Sequence, residues 1–235
     1  MIDVPEVKAV IFDVDGTLYD QKGLRRRMLF SLLSHYAMKP WRFRDLLILS
    51  RFRSERERNA GAAGDIENAQ YRWCSERTGV PEHKVRQVVN RWMHQYPNRF
   101  LKGLLYPGLR ELIDALRRDG IKVAIYSDHP ASEKLHAMGI QVDLVVSSTD
   151  PEVDRLKPDP KGLLVVMRHL GLRAEQCLFI GDRQEMDGEC AERAGMPYMI
   201  TERAPAKGYR FYLDLHERYE QLKKAKTHGS SLDAA

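Results

Sequence analysis

Five short runs of apolar residues punctuate the chain, at 8–12, 121–126, 143–147, 177–180 and 197–200. Each is apolar at consecutive rather than alternate positions, the pattern of strands covered on both faces. Between them the spacing becomes helical. In "PGLRELIDALRRDG", Leu109, Leu112, Ile113 and Leu116 recur at helical intervals, with Pro107 before them and Gly120 after. "PDPKGLLVVMRHLG" repeats the arrangement with Leu163, Leu164, Met167 and Leu170, closed by Gly171. Strand–helix alternation over 107–200 predicts βαβ units and a doubly wound α/β parallel sheet.

From 20 to 105 only helical periodicity is present, as with Leu24, Met28 and Leu32, and again near 65–77 and 81–95. Breaks fall at Pro40, "NAGAAG" (59–64), "GVP" (79–81) and Pro97. An all-helical insertion of about four helices after the first strand is expected. "PWRFRDLLILSRFR" spreads its apolar residues nearly all round a helical wheel, which suits a bundle core or subunit contact better than a membrane-surface helix. The expected division is a core of 1–19 and 106–205, a helical insertion of 20–105, a final helix of 206–226 and a frayed end of 227–235.

Composition changes this picture little. The 235 residues are 43% hydrophobic and 30% charged, an ordinary profile for a chain with a sizeable core. The longest apolar runs, such as "LLIL" at 46–49, are too short to cross a bilayer. No basic-then-apolar leader opens the chain, so a cytoplasmic location is expected. Three cysteines, Cys74, Cys177 and Cys190, lack any CxxC spacing and read as reduced thiols. The net charge of +5 is uneven: residues 21–60 carry eleven bases against three acids. That excess reads as a solvated face or as a surface for an anionic partner.

In open α/β sheets ligands bind at the carboxyl ends of the strands. After the first predicted strand come Asp13, Asp15 and Thr17; after the second, Ser127, Asp128 and His129. A loop beyond the third carries Lys157 in "KPDP", and the fourth runs into "GDRQEMD" with Asp182 and Asp187. Four carboxylates gathered at one edge call for a hard cation, and an all-oxygen set suits Mg²⁺ rather than zinc. Ser127 and Lys157 suit the oxygens of a phosphoryl group. The loop around Gly16 can aim backbone N–H groups at the same anion, with Thr17 bonding its own backbone.

These four segments, in this order, resemble the haloacid dehalogenase superfamily, and among its members the Mg²⁺-dependent, phosphoglycolate phosphatase-like enzymes with a helical C1-type cap. The resemblance covers residues 7–200 and implies a Rossmann-like core with the cap at about 20–105. It further implies that Asp13 is the nucleophile, forming an aspartyl phosphate, and Asp15 the general acid and base. Mg²⁺ would be held by Asp13, the Asp15 backbone carbonyl, Asp182 and Asp187. Phosphate would be held by Ser127, Lys157, Thr17 and the backbone of Asp128. The expected substrate is a small phosphorylated metabolite, with nucleic acid not expected and a lipid phosphate a lesser candidate. The family usually has Asn after the Ser of the second motif, where this chain has "SDHP", which leaves the leaving-group contacts of Asp128 and His129 open. Arg183 reads as a salt-bridge partner or substrate contact.

Other outcomes share the core. A phosphomutase carries the same motifs, and a phosphonate hydrolase needs a buried cap lysine, for which Lys22 and Lys39 are the candidates. A dehalogenase typically lacks the second aspartate of the doublet, so Asp15 speaks against it. A non-catalytic binder would use the basic insertion alone.

Overall fold

The five apolar runs form one sheet. The computed structural model describes residues 7–232, with side chains described to 225. Its strands are β1 (Ala9–Phe12), β2 (Lys122–Ser127), β3 (Leu144–Ser147), β4 (Cys177–Gly181) and β5 (Tyr198–Ile200). All neighbours are parallel, in the order β3-β2-β1-β4-β5. The chain starts in the middle, steps outward twice on one side and then crosses to the other side of β1. That reversal places a crevice at the carboxyl end of β1, where such sheets bind ligands. Phe12 is level with Ile125 and Ile180, so the residues that follow all three leave the sheet together.

Burial on both faces explains the unbroken apolar runs. Val10 and Phe12 of β1 join the core on one side, while Ala9 and Ile11 join the core on the other. No strand position there is left for a polar residue.

Residues after β1 build the cap: α1 (Gln21–Ala37), α2 (Arg44–Arg58), α3 (Ile66–Thr78), α4 (Glu82–Val89) and the short α5 (Asn98–Leu101). A wider π-helical turn, Asn90–Gln95, continues α4. Asp20 caps α1 by accepting the Gly23 N–H at 2.7 Å. Around the sheet lie α6 (Leu109–Arg118), α7 (Ser132–Met138), α8 (Lys161–Leu170), α9 (Glu189–Arg193) and α10 (Phe211–Leu232). Close approach of α8 depends on Gly162, where a Cβ would stand 2.0 Å from the Tyr126 ring.

Two expectations need correction. The stretch "PWRFRDLLILSRFR" is not buried all round: Ile48, Leu49 and Phe52 face the core, but Trp41 is 74% and Phe43 63% exposed. Nor does the last helix begin at 206. Pro205 and Gly208 delay it to Phe211, and with no proline inside it the helix continues to Leu232. The expected frayed end is therefore helical through 232, and residues 233–235 lie outside the described ones. No described helix is long and apolar enough to cross a membrane.

Candidate active site

Asp13 leaves β1 with its backbone N–H still bonded to the Ile180 carbonyl at 2.9 Å, which ties it to the sheet. The loop then turns sharply at Gly16, whose φ of +102° lies where side chains are disfavoured. A Cβ at Gly16 would also stand 2.2 Å from an Asp182 oxygen. The glycine therefore lets the first and fourth strand ends touch. Thr17, expected to bond its own backbone, bonds a neighbouring carboxylate instead. It is fully buried, and its hydroxyl donates to Asp13 Oδ2 at 3.0 Å.

Beneath Asp13 sits Lys157, also fully buried. Its ammonium donates to Asp13 Oδ1 and Asp187 Oδ1, each at 2.8 Å, and to the Tyr126 carbonyl at 3.2 Å. Burial alone would strip that proton, but Asp13 and Asp187 outweigh it and keep Lys157 charged well above its usual range. Its three donors are spent inside the protein, so it orders the carboxylates before it can serve a phosphate. Asp187 turns its other oxygen to the backbone N–H groups of Asp182 (3.1 Å) and Arg183 (3.0 Å), which fixes the loop after β4.

Asp13, Asp182 and Asp187 bring carboxylate oxygens within 4.8 Å of one another, all three buried. Burial, together with the nearby Asp187 and Asp182 charges, pushes Asp13 up to about 8 despite Lys157. Burial likewise raises Asp182, offset by Arg203, whose guanidinium hydrogen-bonds its Oδ2. Such a set of hard, crowded oxygens fits a cation of the Mg²⁺ class. The Asp15 carboxylate stands outside this cluster.

Asp15 instead faces α7. Both its oxygens accept from Lys134 at 2.6 Å, and the Tyr19 hydroxyl also donates to it. Burial would raise this carboxyl, but Lys134 and Tyr19 prevail and hold it below the ordinary range. Asp15 is thus held as a carboxylate, paired with Lys134.

Ser127 and Asp128 follow β2. Ser127 lines the cavity, and its Oγ accepts the His129 N–H at 3.3 Å. The Asp128 carboxylate turns away to Ser148 (3.0 Å), and its carbonyl accepts from cap residue Arg56 at 2.7 Å. At "SDHP", Asp128 joins cap to core, and both Asp128 and His129 line the cavity. His94 of the cap stands opposite, ring to ring at 5.6 Å. Burial and Lys134 push His94 down to about 4, and burial with Arg56 pushes His129 well down, so both are neutral imidazoles. Their Nδ1 atoms are buried without a partner among the described residues. Arg183 lines the same cavity and pairs with Glu185 at 3.3 Å. Lys22 and Lys39 are exposed and do not line it.

Four contributors escaped the reading of the sequence: Lys134, Arg203, His94 and Arg56. Arg203 follows β5, so the strand-end rule that pointed to the others could have found it. Lys134 lies in "ASEKLHAMG", which reads as an ordinary exposed helix, and nothing local marks it.

Comparison with known proteins agrees with this geometry. Residues 7–195 match the model of a haloacid dehalogenase-like hydrolase. The chain is 27% identical over 200 residues to a phosphoglycolate phosphatase of Pseudomonas putida, covering 80% of this chain and 67% of that protein. It is 28% identical over 206 residues to a glyceraldehyde 3-phosphate phosphatase of Methanopyrus kandleri, covering 81% and 82%. Among solved structures, a phosphatase of this superfamily from Thermococcus onnurineus shares the fold at a TM-score of 0.56 and 23% identity, covering 84% and 87%. A 2-haloacid dehalogenase from Pseudomonas syringae shares it at 0.58 and 19%, covering 85% and 92%. The chain belongs to the haloacid dehalogenase-like hydrolase family.

Proposed function

We propose that the protein is a Mg²⁺-dependent phosphomonoesterase. The observation that carries this reading is the buried cluster of Asp13, Asp182 and Asp187 at the switch point of the sheet, opening on a cavity lined by Asp13, Asp15 and Ser127. The names of the phosphoglycolate and glyceraldehyde 3-phosphate phosphatases it resembles support the same reaction class.

Asp13 attacks the phosphorus, the bond to the alcohol oxygen breaks, and an aspartyl phosphate forms. The alkoxide takes a proton through Asp15 from the Lys134 ammonium, which becomes neutral. Asp15 then removes a proton from the attacking water and passes it back to Lys134, and the bond from phosphorus to Asp13 breaks to release phosphate. Ser127 holds a phosphoryl oxygen during both steps. Asp13 and Asp182, with Asp187 and the Asp15 carbonyl, would hold Mg²⁺, which would supply positive charge to offset the negative charge of the phosphoryl group. His94 and His129, neutral and unpartnered, suit hydrogen-bond donors on the leaving group.

A phosphate-release screen tests this directly. Phosphorylated metabolites and p-nitrophenyl phosphate should release phosphate with Mg²⁺ and not with EDTA. Full release in EDTA would remove the metal from the mechanism, and no release from any ester would overturn the reading.

A further inference from the structure

The catalytic cavity does not end where a small phosphate ester would. Its volume is about 890 Å³, within the range of pockets that enclose drug-sized ligands. From the carboxylates it continues along a groove between α1 and α2. Each helix gives it one full face: positions 21, 24, 25, 28, 29 and 32 of α1, and 46, 49, 50, 53, 54 and 57 of α2. The α1 face alone extends about 16 Å at 1.5 Å per residue.

Polarity along this groove is graded. Arg25 and Arg53 stand at the catalytic end, and neither makes an ion pair among the described residues. Farther along α1 and toward the start of α2 the lining is apolar, with Met28, Leu29 and Leu32 of α1 and Leu46 and Leu49 of α2, joined by Trp92. These apolar positions lie toward the end of α1 and toward the start of α2, the two ends that residues 38–43 connect. That connection exposes Trp41 (74%) and Phe43 (63%) beside Lys39, Arg42 and Arg44, outside the residues that line the cavity. An apolar groove that continues from the carboxylate cluster matches a ligand with a polar head and an apolar tail.

We propose that the substrate is an amphiphilic phosphomonoester, whose phosphate meets Asp13 and whose apolar chain lies in the groove between α1 and α2. The placement of the phosphate rests on the phosphatase reading above; the seat of the chain rests on the groove itself. Two sources supply such a molecule, a dissolved amphiphile and a lipid phosphate resident in a bilayer.

The test is a chain-length series. With Mg²⁺, kcat/KM should rise from ethyl through butyl and hexyl to octyl phosphate, below their aggregation limits, by about two- to fourfold per buried methylene. A double variant, Leu32→Gln with Leu46→Gln, should flatten that slope, and Leu164→Gln on the far side of the core should not. Leu164 is 46% exposed and remote from the groove. Binding of ethyl- and octylphosphonate by calorimetry reads the groove without turnover. A flat series in both measurements overturns the proposal while leaving the phosphatase standing. Tighter octylphosphonate binding with no ester hydrolysed supports the groove and sinks the phosphatase. A long-chain phosphate embedded in phosphatidylcholine vesicles, with and without phosphatidylglycerol, separates the sources: turnover of that arm marks the bilayer, and turnover of the dissolved series alone marks free amphiphiles.

Discussion

The sheet and the cap use apolar residues in opposite ways. In the central strands every one of them is consumed: β1 and β4 are buried along their whole length, one alternate set facing each core. In α1 and α2 there are more apolar residues than the fold covers, and Leu29, Phe30, Leu33 and Leu47 remain about half or more exposed. Central strands that leave nothing over can hold crowded charges rigidly at their ends. Helices that leave apolar surface over can form a wall for something else. Of those four exposed residues, Leu29 alone lines the cavity, so the comparison separates the strands that hold the carboxylates from helices whose outer face the fold leaves open.

The largest effect should come from Asp13→Asn. Turnover should fall at least about a thousandfold, with the fold intact by circular dichroism. Retained turnover would mean that the carboxylate at the sheet edge is not the nucleophile. Next is Lys157→Met, which leaves Asp13 and Asp187 facing each other without their shared cation. Breaking a buried ion pair costs about 3–5 kcal/mol, readable by urea denaturation. A loss below about 0.5 kcal/mol would show that the carboxylates do not need it.

A smaller effect concerns pH and metal. Asp13 is raised from an ordinary 3.8 to about 8, so between those values the metal-free folded protein binds a proton that the unfolded chain does not. Its contribution to stability is fully present below the unfolded value and is lost as pH rises through about 8. Mg²⁺ must displace that proton. Its apparent affinity should therefore rise by up to about tenfold per unit from about pH 6 to about pH 8 and then level off. Thermal shifts with and without Mg²⁺ across that range check the slope, and a flat response would contradict a protonated Asp13. The smallest effect belongs to the cap tip. Trp41→Ser should change stability by no more than about 0.5 kcal/mol, whereas Leu112→Ala in the core should cost about 2–5 kcal/mol. Equal losses would mean that the tip is covered in solution.

Legibility followed the same division. The apolar run at 177–180 became Cys177–Gly181, and that at 8–12 became Ala9–Phe12. A strand buried on both faces carries its signal at every position. Asp13, Asp182 and Asp187 could be placed because strand ends set them, and they meet at the sheet edge. Thr17 could not be assigned correctly, since whether a hydroxyl bonds its own loop or a neighbouring carboxylate depends on how that loop turns. Lys134 reaches Asp15 across 119 positions, and its local surroundings are those of any exposed helical lysine.

Local order along this chain was sufficient to determine the parallel sheet, the helical insertion and the candidate carboxylates, because periodicity and strand termini depend on near neighbours. Only tertiary structure decided which cations neutralise those carboxylates, that two histidines face each other across the cavity, and which side of α1 and α2 stays uncovered. Those outcomes depend on how separate elements approach in space, a geometry to which each segment contributes and which none contains.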